Sequence, residues 1–322
     1  MNVAIFGAAG AIGPVAATEL LRRGHRVRVV GRDASRLAGI AGAEPFAADL
    51  LQPEAAAAAA EGMDAILYTA GVPYDRFDLH PPMMRNALAA AKASGVRQFI
   101  HISNVYVYGL PQTPLVAETH PLAPNTRKGT FRLEQETLVV AAHDPNGLRT
   151  LALRPPDFFG PGVANSLADF VLNAALAGKT PDVLGPDDRP HEFIYVPDLA
   201  PVIADLFERP DAFGTAYNIA GSGEITTHDF VEALLRAAGR PTKTRVAGKN
   251  VLRLLGLFNP LMRELVEMNY LQSTPVMLDE TKLRGVLPNL RKTSYAEGIA
   301  ATVQRSLQRQ ASHQGATVGA GA

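Results

Sequence analysis

Val3-Ala4-Ile5-Phe6-Gly7-Ala8-Ala9-Gly10-Ala11-Ile12-Gly13 is the stretch that decides the fold. A short apolar run breaks into three glycines at three-residue spacing and then enters an alanine-rich helical pattern. Glycine is required where backbone turns tightly and meets a ligand with no Cβ in the way. The amides of Ala11, Ile12 and Gly13 would open a helix whose N-terminal dipole favours a pyrophosphate. Gly-rich turns are common, so the triplet is informative only between a strand and a helix. That context is the one found here.

Working outward, strand and helix patterns alternate through the first half. Strands are expected at Val3–Phe6, Val27–Val30, Ala65–Thr69, Phe99–Ile102 and Thr150–Leu153, with helices between them from Pro14 to Arg23, at Ala55–Ala60, from Pro82 through Ala93, and over Gly129–Ala142. Such alternation predicts an α/β architecture: a Rossmann-type, doubly wound parallel sheet covered on both faces. Beyond Arg154-Pro155-Pro156 the Pro and Gly density rises, which points to a smaller C-terminal substrate lobe. The expected division is 1–160 for the dinucleotide-binding domain, re-entered near 190–220, with 161–308 mainly substrate lobe. Residues 309–322, rich in small and polar types, read as a disordered tail.

Composition narrows the function classes. Lys+Arg 31 balances Asp+Glu 31, so no net field recruits nucleic acid or anionic membrane. Cys 0 removes disulfides, thiolate nucleophiles and cysteine–metal sites. The first strand begins at the N-terminus and no apolar run reaches membrane-spanning length, so a cytoplasmic location is expected. None of the 8 histidines is read at ligand spacing from carboxylates, and no metal is expected.

The residue ending the second strand of such folds reads the ribose 2′ position. Here it is Gly31, followed by Arg32. Loss of the carboxylate removes repulsion toward a 2′-phosphate, and Arg32 offers a planar fork suited to it. NADP is therefore expected over NAD, although Asp33 is placed to pair with Arg32 or to recover a hydroxyl contact. Asp49 and Leu50 would hold the adenine edge, and Ala70 and Gly71 would line the cofactor's route.

These pieces, with Tyr68-Thr69-Ala70-Gly71, Ile102-Ser103-Asn104 running to Val107-Tyr108-Gly109, Leu153-Arg154-Pro155, Phe193 to Leu199, Tyr217-Asn218-Ile219 and Leu278-Asp279 with Lys282, resemble the extended short-chain dehydrogenase/reductase family of NAD(P)-dependent sugar epimerases and dehydratases. The resemblance spans about residues 1–305. It implies a Ser or Thr five residues before Gly109 and a Tyr-x-x-x-Lys acid/base pair. This chain has Asn104 at the first place, with Ser103 adjacent. Taking Glu136 as the family's glutamate, it has Lys128 and Arg132 at the other two. The spacing i, i+4 survives and sets both cations on one helix face; the phenol does not.

The chain therefore looks like an atypical member. Lys128 is the candidate proton donor, Asn104 the group that orients the reacting oxygen, and Tyr106 the stand-in phenol. Ser103, Lys128 and Arg132 are also expected at the cofactor. On the substrate side, Asp157 stands where sugar-nucleotide enzymes carry asparagine, and His191 where they place an arginine for phosphates. A neutral histidine clamps a diphosphate poorly, which favours a small, fairly apolar carbonyl or alcohol. Rival readings are a sugar-nucleotide epimerase or dehydratase with a rearranged site, and a catalytically silent NADP sensor. The Leu/Met-rich stretch Val251–Met268 reads as lobe core or as a wall over the nicotinamide. A homodimer follows from the resemblance alone.

Overall fold

The structure, a computed structural model, describes residues 1–248 and 266–319. In chain order the first half runs β1 Asn2–Phe6, α1 Ile12–Arg22, β2 Arg26–Gly31, α2 Ala34–Leu37, β3 Glu44–Ala47, α3 Pro53–Ala60, β4 Ala65–Tyr68, α4 His80–Ala93, β5 Gln98–Ile102, α5 Arg127–Ala141 and β6 Arg149–Arg154. The expected elements are all present, with no end shifted by more than two residues. Local chemistry sets those ends. Gly24 and Gly95 take left-handed φ values of 82° and 73° just past α1 and α4. Thr126 caps α5 by accepting from the Gly129 amide at 3.0 Å.

The chain divides into two compact units. One comprises Met1–Pro156, Pro197–Ile219 and Leu278–Arg291; the other comprises Asp157–Val196, Ala220–Met277 and Lys292–Ala322. In the first, a seven-stranded parallel sheet has the order Ala216–Asn218, β6, β5, β4, β1, β2, β3. The strand order reverses between β1 and β4, which register Val3 to Ala65 through Phe6 to Tyr68. In open α/β sheets that switch point opens a crevice at the strands' carboxyl ends. β1, β4 and β5 are buried almost without exception, as parallel strands covered on both faces must be. Helix Leu199–Phe207 packs on α1, while α3, α4 and α5 enclose a core that includes Phe6, Ile66, Met84 and Phe99.

The second unit has its own core, built on three packed aromatic rings. Phe193 and Phe230 lie 4.2 Å apart centre to centre at 17°, and Phe159 meets Phe230 edge-on at 5.2 Å. Its last helix spans Tyr295–Gly319 and thus runs through much of the stretch read as a tail. Residues 249–265, which hold most of the Val251–Met268 stretch, lie outside the described residues. Among the described residues no helix is long and apolar enough to cross a membrane.

Candidate functional site

The glycine turn follows β1 directly. Gly7 has φ +87°, and a Cβ there would collide with the Ala70 backbone two residues past the end of β4. A Cβ on Gly13 would collide with the Ala8 backbone. The turn is pinned by Gly7 and Ala8 amides donating to the Val30 carbonyl at 2.9 and 3.0 Å. Thr69 adds hydroxyl bonds to the Phe6 and Gly7 carbonyls. Ala11, at the N-cap of α1, supplies no side-chain cap, so the first amides of α1 face the turn without a side-chain acceptor. Bare backbone, a strand-anchored Gly7 and an uncapped helix start fit a dinucleotide pyrophosphate.

At the end of β2, Arg32 is exposed and has no side-chain partner among the described residues. Asp33 does not pair with it. Its carboxylate accepts from the Ser35 amide at 2.9 Å and hydroxyl at 2.6 Å, capping α2. Asp49 is half-buried and turns back to the Leu51 amide, while the buried Leu50 offers its carbonyl to Asn86.

The residues expected at the reaction end lie on α5 and on the segment from the end of β5 through the turn Val105–Tyr108, which pack together. Lys128 and Arg132 share a face of α5, and that face is the buried one, at 3% and 6% exposure. The Lys128 ammonium lies 4.9 Å from the Tyr74 ring centre and 5.9 Å from Phe77. Electron-rich faces attract a desolvated cation by up to about 2 kcal/mol. Tyr74 and Phe77, on the segment before α4, were missed; only their position after β4 could have flagged them. Arg132 turns inward, donating to Gln135 Oε1 at 2.6 Å and to the Ile102 carbonyl at 2.9 Å. Burial lowers its pKa to about 10. A ribose-holding role for Arg132 meets this obstacle: two of its nitrogens are committed to the protein.

Ser103 is likewise committed. It is buried and donates to Glu136 at 2.5 Å. Glu136 also accepts from Arg154 Nε at 3.0 Å and from its Nη2. Burial opposes the Arg154 charge, but the Glu136 bonds outweigh it and leave that pKa raised. Arg154 Nη1 donates to the Tyr108 hydroxyl at 2.7 Å, which in turn donates to Asn218 at 2.6 Å. Tyr108 is thus held inside the fold by this network. Asn104 accepts from the Tyr106 amide at 3.2 Å and caps the 3-10 turn Val105–Tyr108, which leaves its amide nitrogen for other uses. Tyr106 is half-buried on that turn.

In the second unit, His191 Nε2 and Asp157 Oδ2 lie 3.0 Å apart, with the His191 ring against Phe193 at 4.6 Å. Sequence spacing of 34 residues gave no hint of this pairing; the parallel pairing of Phe193–Tyr195 with Asp157–Phe159, two residues beyond His191, makes it. One expectation is corrected. His228, Asp229 and Glu232 on helix Thr227–Ala237 bring ligand-type atoms within 4.8 Å of one another, so histidine–carboxylate spacing does occur. The helical repeat brings residue 232 one turn beyond 228.

A nucleotide-binding α/β sheet with a glycine turn at its switch point is the class these features define. The NAD dependent epimerase/dehydratase family matches residues 3–220, and the chain belongs to that family. It is 26% identical over 217 residues to a dTDP-glucose 4,6-dehydratase of Actinoplanes, a match covering 67% of this chain and 62% of that protein. It is 28% identical over 271 residues to a 3 beta-hydroxysteroid dehydrogenase/Delta 5-->4-isomerase of Mycobacterium tuberculosis, covering 78% and 73%. The fold superposes on DesIV, a dTDP-glucose 4,6-dehydratase of Streptomyces venezuelae solved with NAD and TYD bound, with TM-score 0.81, 21% identity, and coverage of 97% and 98%.

Proposed function

We propose that this protein is an NADP-dependent oxidoreductase acting on a small, fairly apolar carbonyl or alcohol. The observation that carries the cofactor half is the Gly7–Gly13 turn, whose backbone a side chain would block, beside an unpartnered Arg32. Gly7, Gly10, Ala11, Ile12 and Gly13 would hold the pyrophosphate and Arg32 the 2′-phosphate. Asp49, Leu50, Ala70 and Gly71 would line the rest. The nicotinamide supplies hydride chemistry when bound. Lys128 holds the proton exchanged with the substrate oxygen, and the Asn104 amide nitrogen donates to that oxygen. Tyr106 is the alternative source of the proton.

The substrate half rests on the His191–Asp157 pair. A carboxylate at hydrogen-bonding distance from the histidine repels a diphosphate and suits an uncharged hydroxyl or carbonyl. The steroid dehydrogenase relative supports an apolar alcohol. The two sugar-nucleotide dehydratases support the second reading, an epimerase or dehydratase with a rearranged site. Titration with NADPH by fluorescence, followed by turnover assays with apolar carbonyls and with dTDP- and UDP-glucose, separates them. Expected are NADPH binding and turnover of a carbonyl alone. Turnover of a nucleotide sugar would overthrow the substrate assignment, and binding without any turnover would favour a silent sensor.

A further inference from the structure

Among the described residues of the first unit, the buried side chains that carry charge are Lys128, Arg132 and Arg154 on one side and Glu136 on the other. Glu136 is claimed by Arg154 and Ser103. Arg132 bonds only neutral oxygens, those of Gln135 and Ile102. Glu136, already bonded to Arg154 and Ser103, is the carboxylate whose charge reaches Arg132, and a buried charge matched so thinly is costly for a fold to hold.

The groups around Arg132 share the same deficit. Tyr68 and His101 stand opposite each other in the β4–β5 register, their rings 5.7 Å apart and edge-on. Ile102, whose carbonyl Arg132 takes, is the next residue along β5. Tyr68 Oη, both ring nitrogens of His101, His80 Nδ1, Arg132 Nε and Gln135 Nε2 are all buried without a hydrogen-bond partner. Arg132 Nε and Gln135 Nε2 can only donate, a tyrosine hydroxyl donates readily, and a neutral imidazole donates from one nitrogen. The two histidines bring no second cation: burial foremost, then the Arg132 charge, holds His80 at about 2 and His101 well below its ordinary value. One fixed positive charge therefore sits among several inward-facing donors from β4, β5 and α5. Native interiors seldom leave such atoms unmatched.

We propose that Arg132 Nε, Gln135 Nε2, Tyr68 Oη and His101 form a binding site for a small monovalent anion of halide size. The anion neutralises the Arg132 guanidinium and anchors the first two turns of α5 to the end of β5. None of its four donors is given a part in the proposed reaction, so bromide binding is read without any turnover.

The test uses the full chain dialysed into sodium gluconate and titrated with sodium bromide at constant ionic strength, with formate as a carboxylate arm. Melting temperature is expected to rise with bromide and saturate, and to respond less to formate. Tyr68→Phe removes one donor, and Gln135→Leu removes one donor together with the Oε1 that holds Arg132 Nη1; each is expected to raise the half-saturating bromide concentration about tenfold or more, as befits a hydrogen bond to a charge. A crystal soaked in bromide should give an anomalous peak beside Arg132 Nε. Two results overturn the proposal. One is a melting temperature indifferent to bromide beyond that of Tyr68→Phe. The other is a Tyr68→Phe protein that simply melts higher in every salt, as removal of a merely orphaned hydroxyl requires. If Tyr68→Phe does not fold, Gln135→Leu and the anomalous peak decide alone.

Discussion

At the scale of single residues, Arg32 is the sharpest case. Asp33 is occupied by Ser35 and does not hold the arginine. Arg32→Glu should weaken NADPH binding about ten- to hundredfold, the worth of charge-assisted bonds, and favour NADH; isothermal titration with both nucleotides checks it. Unchanged selectivity would remove the 2′-phosphate role. Gly13→Val would drive its side chain into the Ala8 backbone and cost about 1–3 kcal/mol of stability, along with NADPH binding. Lys128→Met keeps most of the stem's packing and should cut turnover by about 10²–10⁴-fold, with NADPH affinity spared. Loss of affinity with turnover per bound cofactor preserved would make Lys128 a binding residue only. Sequence located Lys128 and Arg132 on a shared face because helical geometry is local. It did not reveal that this face is the covered one, because burial depends on what packs there.

At the scale of elements, α5 and β6 are joined by the Glu136–Arg154 pair, which ties in Ser103, Tyr108 and Asn218. Glu136→Gln keeps the shape but leaves Arg154 charged and unmatched. The expected loss is about 3–5 kcal/mol, read as a fall in thermal midpoint. Helix α1 shows the weaker, half-buried counterpart. Hydrogen bonding to Arg22 foremost, then Arg23, outweighs burial and lowers Glu19 to about 2 from its ordinary 4.5. A depressed carboxylate stabilises the fold above its unfolded pKa and loses that contribution as pH falls through the folded value. The window therefore lies between about pH 4.5 and 2. Solvent screening keeps the contribution small. The melting difference between the native chain and Glu19→Gln should be present at pH 7 and vanish towards pH 2. A difference that persists in acid would mean packing, not charge, is what the substitution removes. The strands and helices were legible because glycine stops, a threonine cap and period-matched apolar runs act within a few residues. The Glu136 network was not, since its members are 33, 46 and 110 residues apart.

At the scale of the whole molecule, a cut at residue 160 tests how the first unit is completed. Its outer strand Ala216–Asn218 pairs with β6, and helix Leu199–Phe207 buries Leu199, Val202, Ile203, Leu206 and Phe207. A 1–160 fragment lacks both, exposing the apolar face of α1 and an unpaired sheet edge. It should aggregate and melt without cooperativity, whereas the full chain melts cooperatively; a soluble, cooperative fragment would show the first unit to be self-sufficient. The chain's own order determined the parallel sheet, the bare glycine turn and the missing phenol, since each is written in residues adjacent or a fixed repeat apart. Only tertiary structure decided that Arg132 turns inward, that Lys128 rests on Tyr74 and Phe77, and that His191 meets Asp157. Those outcomes depend on which distant surfaces exclude water from a charge, and desolvation is a property of the packed chain that no local pattern encodes.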